Sequence, residues 1–210
     1  MTTFFIKNLF ILSFCSLLLS LSSAAYPSCE NDSVTVALNS LKLKDVNSFE
    51  HSFRVAKLSE DIANKMNLNK ETIHSAKISA LLHDIGKIGI PDAILKKTSS
   101  LTKEEYEKIK KHPLMSELII TKVKCLEKYK KYIRNHHERY DGKGYPDGLL
   151  GDNIPLISRI ITVADSFDAM TSDRPYKKKM TNEEAVAELI KNTKTQFDPK
   201  VVDVFVKIKH

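Results

Sequence analysis

The chain has 210 residues, which is enough for one domain with a hydrophobic core and a short extension. Its 42% hydrophobic and 28% charged residues are ordinary for a globular protein, and six glycines with seven prolines are few for a turn-rich β-sandwich. The net charge of +7 is moderate, and the lysines form no stripe interleaved with aromatic residues, so we predict no binding to a nucleic-acid polymer. Three cysteines, at positions 15, 29 and 125, have neither CxxC spacing nor an even count and predict no disulfide framework and no zinc knuckle.

The first 25 residues differ in composition from the rest of the chain. A single lysine, Lys7, precedes an apolar run from Leu9 to Leu21, and Ser23 and Ala25 then fit the small-x-small pattern of a cleavage site. The run is shorter than the roughly 20 residues that a membrane span needs. We therefore predict a signal-like or anchoring segment at 1–25, a linker at 26–45 and one folded domain at 46–210.

From about residue 45 onward the pattern is helical. Apolar residues recur at spacings of three, four and seven, as on one face of an amphipathic helix. Asn69 has the position of an N-cap, and Thr102 with Glu105 and Thr181 with Glu184 form capping boxes. No stretch shows the sustained alternation of a strand. The sequence predicts a single all-α domain of about seven or eight helices, with loops at 87–101 and 138–154.

The histidines are distributed in a way that indicates a metal site. His74 and His210 have the ordinary interpretation of solvated or hydrogen-bonded structural residues. The other five come from four separate segments, each in an apolar surround or at a helix boundary: His51, His83, His112, His136 and His137. Buried imidazoles need polar partners, and several that converge on one region could share a metal ion.

Two aspartates complete this set. Asp84 directly follows His83, and Asp165 lies in the apolar run "IITVADSFDAM", where an unpaired carboxylate would be costly. Nitrogen and oxygen ligands without cysteine suit iron, manganese or zinc in a catalytic site. Seven ligands are too many for one catalytic ion, but a carboxylate that bridges two ions accommodates them, and such centres serve in-line attack on phosphorus. Lys87 lies four residues after His83, where it can supply a cation near the reacting phosphate.

Four motifs in order carry a resemblance to a known family. The stretches "HDIGK", "HHERYDGKGYPDGLLGDNIP", "RIITVADSFDAMTSDRPY" and "QFDP", with their spacings, resemble the HD-GYP family, a branch of the HD phosphohydrolases, over about residues 45–208. The resemblance implies an all-α domain with a two- or three-metal centre that usually holds iron or manganese. It also implies hydrolysis of the bacterial second messenger cyclic di-GMP to the linear dinucleotide or to GMP.

The resemblance also implies a role for each matched ligand. The first metal would be held by His51, His83 and Asp165, the second by His112, His136 and His137, and Asp84 would bridge them. Members with a third metal carry a glutamate where this chain has Asn47, so we expect two divalent ions, iron or manganese. Ser116 and Lys194 replace usual glycines of the family, which bears on helix packing rather than on ligands.

Further matched residues are expected to contact the substrate. Lys87, Arg174 and Lys177 resemble phosphate contacts, and a fork-shaped arginine suits phosphate oxygens. The motif Gly144-Tyr145-Pro146 is interpreted equally as a turn, as a substrate contact or as a docking surface for a diguanylate cyclase-type partner. Asp168 could orient Lys87 or a ligand histidine, and with Lys87 and Asp84 we assign it to the catalytic set.

Three hypotheses on function stay open at this point. The chain is a cyclic dinucleotide phosphodiesterase, an HD-type phosphohydrolase acting on another nucleotide, or a non-enzymatic interaction module. The full ligand set counts against the third hypothesis, and the Gly-Tyr-Pro series favours the first by resemblance. No heptad stretch supports homodimerisation, which is left open.

Two sequence features disagree about where the domain works. The N-terminus resembles that of an exported protein, whereas the implied substrate is made and used in the cytoplasm. An unpaired Cys125 would suit a reducing compartment. We therefore expect a membrane tether at the N-terminus with residues 45–210 in the cytoplasm, and export as the alternative.

Overall fold

The computed structural model describes residues 25–172 and 179–209. The helices of this part, in chain order, are α1 (Ala25–Lys44), α2 (Val46–Lys65), α3 (Lys70–Leu82), α4 (Asp92–Leu95), α5 (Lys103–Ile109), α6 (His112–Thr121), α7 (Lys130–Arg134), α8 (Leu156–Thr171), α9 (Asn182–Lys191) and α10 (Pro199–Lys209). Short 3-10 helices lie at Ile85–Gly89, Glu127–Tyr129 and Gly151–Asn153. Across both described ranges, β-pairing is limited to isolated bridges, so the predicted all-α domain is confirmed.

Local sequence explains where several helices begin. Both predicted capping boxes are present: Thr102 and Glu105 exchange hydrogen bonds at the start of α5, and Thr181 and Glu184 do so at the start of α9. Asn69 accepts a hydrogen bond from the backbone N–H of the third residue of α3. Each cap satisfies an N–H that has no partner inside the helix, which typically contributes about 1 kcal/mol.

Helix α8 lies at the centre of the core and carries one of the predicted ligands. It packs against α2, α3, α9 and α10. Four of its apolar residues are fully buried: Ile160, Ile161, Val163 and Ala164. Because burying an isoleucine side chain contributes roughly 1.5–3 kcal/mol, this helix is held firmly and gives Asp165 a fixed position.

Residues 26–45 are part of the domain, and the prediction of a linker there is wrong. They form most of α1, whose residues Val34, Leu38 and Leu41 are buried. Spacings of four and three place these side chains on one helix face, which packs against α2 and α3. Helix α1 and the four-residue α4, inside the predicted loop 87–101, are the helices that the predicted number did not include.

A disulfide bond joins α1 to the segment after α6, contrary to the prediction from cysteine spacing. Cys29 and Cys125 are bonded, with their Cα atoms 6.3 Å apart. Beside them, Glu30 accepts a hydrogen bond from the Tyr129 hydroxyl at 2.6 Å and pairs with His74. The two cysteines are separated by 96 positions, so local spacing could not reveal the pair. His74 is thus a partly exposed residue hydrogen-bonded to Glu30, outside the candidate ligand set, as predicted.

Lys194, one of the two residues that replace a usual glycine of the family, lies in a strained backbone position. Lys194 has a φ of +66°, in the left-handed region that glycine adopts without steric cost. Its backbone N–H donates to the Phe197 carbonyl at 2.9 Å in the turn before α10.

For residues 25–172 and 179–209, no helix is both long and apolar enough to cross a membrane.

Candidate metal centre

The predicted ligands converge in two groups. His51, His83 and Asp84 form one group, and His112, His136 and His137 form the other; within each, the ligand atoms lie within 4.8 Å of one another. The seventh predicted ligand, Asp165, joins the first group because its Oδ1 lies 3.0 Å from Nε2 of His51.

Five parts of the fold supply these side chains. Helix α2 carries His51, α8 carries Asp165, and α6 begins at His112. His83 and Asp84 follow the last residue of α3, and the adjacent pair His136–His137 follows α7. Adjacent histidines can serve one site here because the helix has ended before them, so their side chains are not held about 100° apart.

Asp84 lies between the two groups. Its Oδ1 is 3.2 Å from Nε2 of His112, whereas its Oδ2 is 3.4 Å from Nε2 of His83 and 3.8 Å from Nε2 of His51. Each carboxylate oxygen thus faces a different group of histidines. This is the arrangement that a carboxylate bridging two metal ions requires.

Backbone carbonyls fix the orientation of three histidines. The Nδ1 atom lies 2.7 Å from the carbonyl oxygen three residues earlier in His83, 2.8 Å in His112 and 2.6 Å in His136. A carbonyl only accepts hydrogen bonds, so each Nδ1 carries the proton and each Nε2 presents a lone pair to the site. Metal-ligating histidines are usually oriented by such a hydrogen bond.

The free Nε2 atoms show that the residues fit a metal ion. Nε2 of His83 is buried and has no hydrogen-bond partner among the described residues. Nε2 of His112 and Nε2 of His136 lie 3.2 Å apart, although both are acceptors in this tautomer. A cation that accepts both lone pairs removes their repulsion and satisfies the buried atoms, and the nitrogen and oxygen donor set suits iron, manganese or zinc.

Burial keeps the second group of histidines neutral. Desolvation is the largest cause, and the pKa of His112 is lowered to about 3 and that of His137 to about 4. Desolvation also lowers the pKa of His136 well below its usual value. At neutral pH these imidazoles are therefore unprotonated, as ligands must be.

In the first group, nearby carboxylates favour a positive charge on the histidine His51. Burial opposes protonation of His51, but the hydrogen bonds that its ring donates to Asp165 and Asp168, and the charge of Asp84, raise its pKa to about 9. Burial likewise opposes ionisation of Asp84, but Lys87 and nearby histidines hold its pKa well below the usual value. The carboxylates are ionised and favour a positive charge on Nε2 of His51, which a proton or a metal ion can supply.

Asp168 lies behind His51, away from the centre of the ligand set. Its Oδ2 is 2.7 Å from Nδ1 of His51, and Arg54 donates to Oδ1 at 2.7 Å and to Oδ2 at 3.1 Å. Of the two roles left open for Asp168, orienting a ligand histidine agrees with this geometry and pairing with Lys87 does not. These contacts favour a positioning role for Asp168 over membership of the predicted catalytic set.

Arg54 was not selected from the sequence. It lies three residues after His51 on α2 and so shares that helix face, a spacing that could have indicated it.

Lys87, by contrast, lies at the site as predicted: its Nζ is 2.6 Å from Oδ2 of Asp84, and its side chain is 23% exposed. The Lys87 side chain is therefore partly exposed to solvent next to the Asp84 carboxylate.

Gly86 and Ser116 hold the turn with His83 and Asp84 against the start of α6. A Cβ atom on Gly86 would lie 2.1 Å from the His112 carbonyl oxygen and 2.5 Å from the Ser116 backbone nitrogen, so only glycine allows this approach. The Ser116 hydroxyl accepts from the Gly86 N–H at 2.8 Å and donates to the His83 carbonyl at 2.8 Å. Serine in place of the family's usual glycine therefore adds a link between two ligand-bearing segments.

The Gly-Tyr-Pro loop borders the second group. The Tyr145 ring lies 5.0 Å from the His137 ring, centroid to centroid, and Nζ of Lys110 lies 5.5 Å from the Tyr145 ring centroid. The Tyr145–Pro146 peptide bond is cis. Gly144 allows the loop to approach the backbone at position 138, because a Cβ there would lie 2.5 Å from the Cα of that residue. The predicted phosphate contacts Arg174 and Lys177 lie outside the described residues.

Comparisons with known proteins agree with this fold and site. The HD-domain family model matches residues 35–201, and the chain belongs to this family. The chain is 41% identical over 168 residues to a cyclic di-GMP phosphodiesterase of Thermotoga maritima, covering 79% of this chain and 46% of that protein. It is 39% identical over 150 residues to the 3'3'-cGAMP-specific phosphodiesterase 3 of Vibrio cholerae, covering 71% of this chain and 33% of that protein.

A solved structure supports the fold alone. The protein Bd1817 from Bdellovibrio bacteriovorus, described as a HDG"Y"P protein, superposes with a TM-score of 0.65 at 19% identity, covering 88% of this chain and 63% of that one. The HD fold and the HD-GYP resemblance predicted from the sequence are confirmed. The chain spans less than half the length of the two curated relatives named above.

Proposed function

We propose that this chain is a metal-dependent phosphodiesterase that hydrolyses cyclic di-GMP to the linear dinucleotide or GMP. The observation that carries the proposal is the position of Asp84, whose two oxygens face two separate groups of inward-pointing histidines. The names of the relatives, which are phosphodiesterases of cyclic di-GMP and of 3'3'-cGAMP, support the same substrate class.

Two divalent ions, which we take to be iron or manganese, fit the two groups. The first would be held by His51, His83 and Asp165, the second by His112, His136 and His137, with Asp84 shared. When bound, such ions polarise the phosphate and promote attack by water. At neutral pH the histidines of the second group carry no competing proton and the ionised Asp84 favours the charge of the ions, whereas at His51 a metal ion has to displace a proton.

Lys87 and the positioning residues complete the chemistry. The Lys87 ammonium group can donate to a phosphate oxygen as negative charge develops there, while its contact with Asp84 keeps it in place. Asp168 and Arg54 hold the His51 ring so that Nε2 points into the site. Arg174, Lys177 and Tyr145 are assigned to the substrate by resemblance.

A panel of cyclic and linear nucleotides tests the substrate. Purified protein loaded with iron or manganese should hydrolyse cyclic di-GMP faster than other nucleotides. Faster hydrolysis of 3'3'-cGAMP, which the name of one relative favours, would replace the substrate but keep the reaction class. If the protein hydrolyses neither cyclic dinucleotide, two hypotheses are left: a phosphohydrolase that acts on another nucleotide, or a non-enzymatic interaction module.

Two substitutions test the roles of the site residues. Asp84→Ala should abolish both metal loading and turnover, and Lys87→Ala should retain metal but lower kcat. His74→Ala, which changes a histidine paired with Glu30 outside the centre, is the control for both. Full metal content and full activity in Asp84→Ala would contradict the bimetal interpretation.

Localisation has two candidate answers. The sequence supports a membrane tether with a cytoplasmic catalytic domain, because the implied substrate is cytoplasmic. The bond between Cys29 and Cys125 supports export, because disulfides persist in oxidising compartments, and it removes the argument from a free thiol. Alkaline phosphatase fused to the C-terminus decides, since it is active only outside the cytoplasm. Docking of a cyclase-type partner and homodimerisation stay predictions.

A further inference from the structure

Glu138 is a buried carboxylate whose partners are backbone amides of the Gly-Tyr-Pro loop. It is 1% exposed. Its Oε1 accepts from the backbone N–H of Asp147 at 2.6 Å and of Gly148 at 3.1 Å, and its Oε2 accepts from that of Leu149 at 3.1 Å. No cationic side chain of the described residues forms an ion pair with it.

A carboxylate buried in this position lowers the stability of the fold unless hydrogen bonds replace those it made to water. Burial of a charge without a cation is offset only by directed donors, and three amides converge on these two oxygens. The bonds connect the residue directly after the ligand His137 to the far end of the loop. They therefore fix the loop relative to the metal ligands.

Other backbone contacts close the loop on the same segment. The Tyr145 N–H donates to the His137 carbonyl at 3.2 Å, and the Gly142 N–H donates to the Arg139 carbonyl at 2.9 Å. Tyr145 is thereby held between the anchored ends, with its ring against His137. Nζ of Lys110 also lies over the Tyr145 ring, 5.5 Å from its centroid.

We propose that Glu138 is a positioning residue that holds Tyr145 at the edge of the metal centre, where the tyrosine contacts the cyclic dinucleotide. Glu138 acts through the loop and touches neither metal nor substrate. Its loss should weaken substrate binding without changing metal content. This inference rests on the proposed function for the substrate, whereas the anchoring of the loop does not.

The variant Glu138→Gln tests the inference with almost no change in volume. An amide nitrogen replaces one acceptor oxygen and faces a backbone N–H, so at least one loop bond is lost. Asp198→Asn is the matched control, because Asp198 is also a buried carboxylate, 2% exposed, but pairs with Arg159 at the start of α10.

Limited trypsin digestion reports on the loop without any substrate. Lys143 is exposed, and cleavage after it should be at least about tenfold faster in Glu138→Gln than in the wild type or the control, since a tenfold change corresponds to one lost interaction of ordinary strength. An unchanged cleavage rate would overturn the inference, whatever the substrate is.

Kinetics then separate positioning from a general structural effect. In Glu138→Gln, KM for the cyclic dinucleotide should rise about tenfold, with metal content unchanged and with hydrolysis of bis(p-nitrophenyl) phosphate, which lacks nucleosides, within about twofold of the wild type. Metal loss, or an equal loss on both substrates, would mean that Glu138 acts through His137 instead. If the wild type cleaves the small diester but no cyclic dinucleotide, the proposed function fails, and the trypsin result alone decides whether Glu138 anchors the loop.

Discussion

The Nε2 atoms of His112 and His136 lie 3.2 Å apart in the buried centre, and the Nδ1 atom of each is held by a backbone carbonyl. Two acceptors cannot satisfy each other, so this pair requires a cation between or beside them. The same requirement applies to Nε2 of His83 in the other group. These buried lone pairs thus fit a cation.

The two groups should lose metal separately. His136→Ala should remove the ion of the second group and leave that of the first, and His51→Ala should do the reverse, because each variant removes a ligand of only one group. Metal content measured by mass spectrometry should fall by about half in each case. Complete loss from both variants would show that the ions bind only as a coupled pair.

Asp168 should influence metal affinity through His51. Asp168→Asn retains the size of the side chain but weakens the bonds to Nδ1 of His51 and to Arg54, so affinity at the first group should fall by about 10–100-fold. Competition with a chromogenic chelator measures this affinity. Asp61→Asn, in an exposed pair with Lys57 on the same helix, should leave it unchanged.

Gly86 should not tolerate a side chain. In Gly86→Ala the added Cβ meets the His112 carbonyl and the Ser116 backbone, so α6 must move away from the turn that carries His83. We expect a loss of about 1–3 kcal/mol in unfolding free energy and of metal at the second group.

Gly89→Ala is the matched comparison for that substitution. Its Cβ would meet the sulfur of Met115 at 2.8 Å, the flexible part of a side chain that can move. Urea denaturation should show the larger loss in Gly86→Ala. Equal losses in the two variants would contradict the argument from backbone contact.

The disulfide should stabilise the domain through α1. Cys29→Ser should lower the unfolding free energy under oxidising conditions by about 2–4 kcal/mol, because the bond closes a long loop and ties α1 to the core. Urea denaturation with and without a reductant checks this. The reductant should destabilise the wild type and leave Cys29→Ser unaffected; no effect on the wild type would contradict a stabilising bond.

The class of fold and the set of ligands could be predicted from sequence because both depend on local signals. Helical periodicity and capping residues such as Thr102 indicate a helix whatever the rest of the chain packs against it. Histidine and aspartate in apolar surroundings or at helix boundaries indicate metal chemistry without knowledge of any contact. The motif order around His83 and His136 then identified the family.

The pairing of side chains could be decided only by the tertiary structure. Which oxygen of Asp84 faces which histidine depends on how α2, α3 and α6 pack, and no spacing along the chain encodes that. The sequence allows two partners for Asp168, Lys87 and a ligand histidine, and the packing of α8 against α2 brings it to His51.

Dependence on long-range packing also explains why the predictions about residues 26–45 and about the cysteines are wrong. A linker was predicted at 26–45 because α1 is weakly patterned, and only packing against α2 and α3 shows that Leu38 and Leu41 are core residues. Cys29 and Cys125 meet across 96 positions, and Glu138 finds its amides only after the loop has folded back on it. The sequence alone determined which groups are present and which local structures they adopt. Their distances, and therefore their chemistry, arise from long-range packing, which decides which buried groups must satisfy one another.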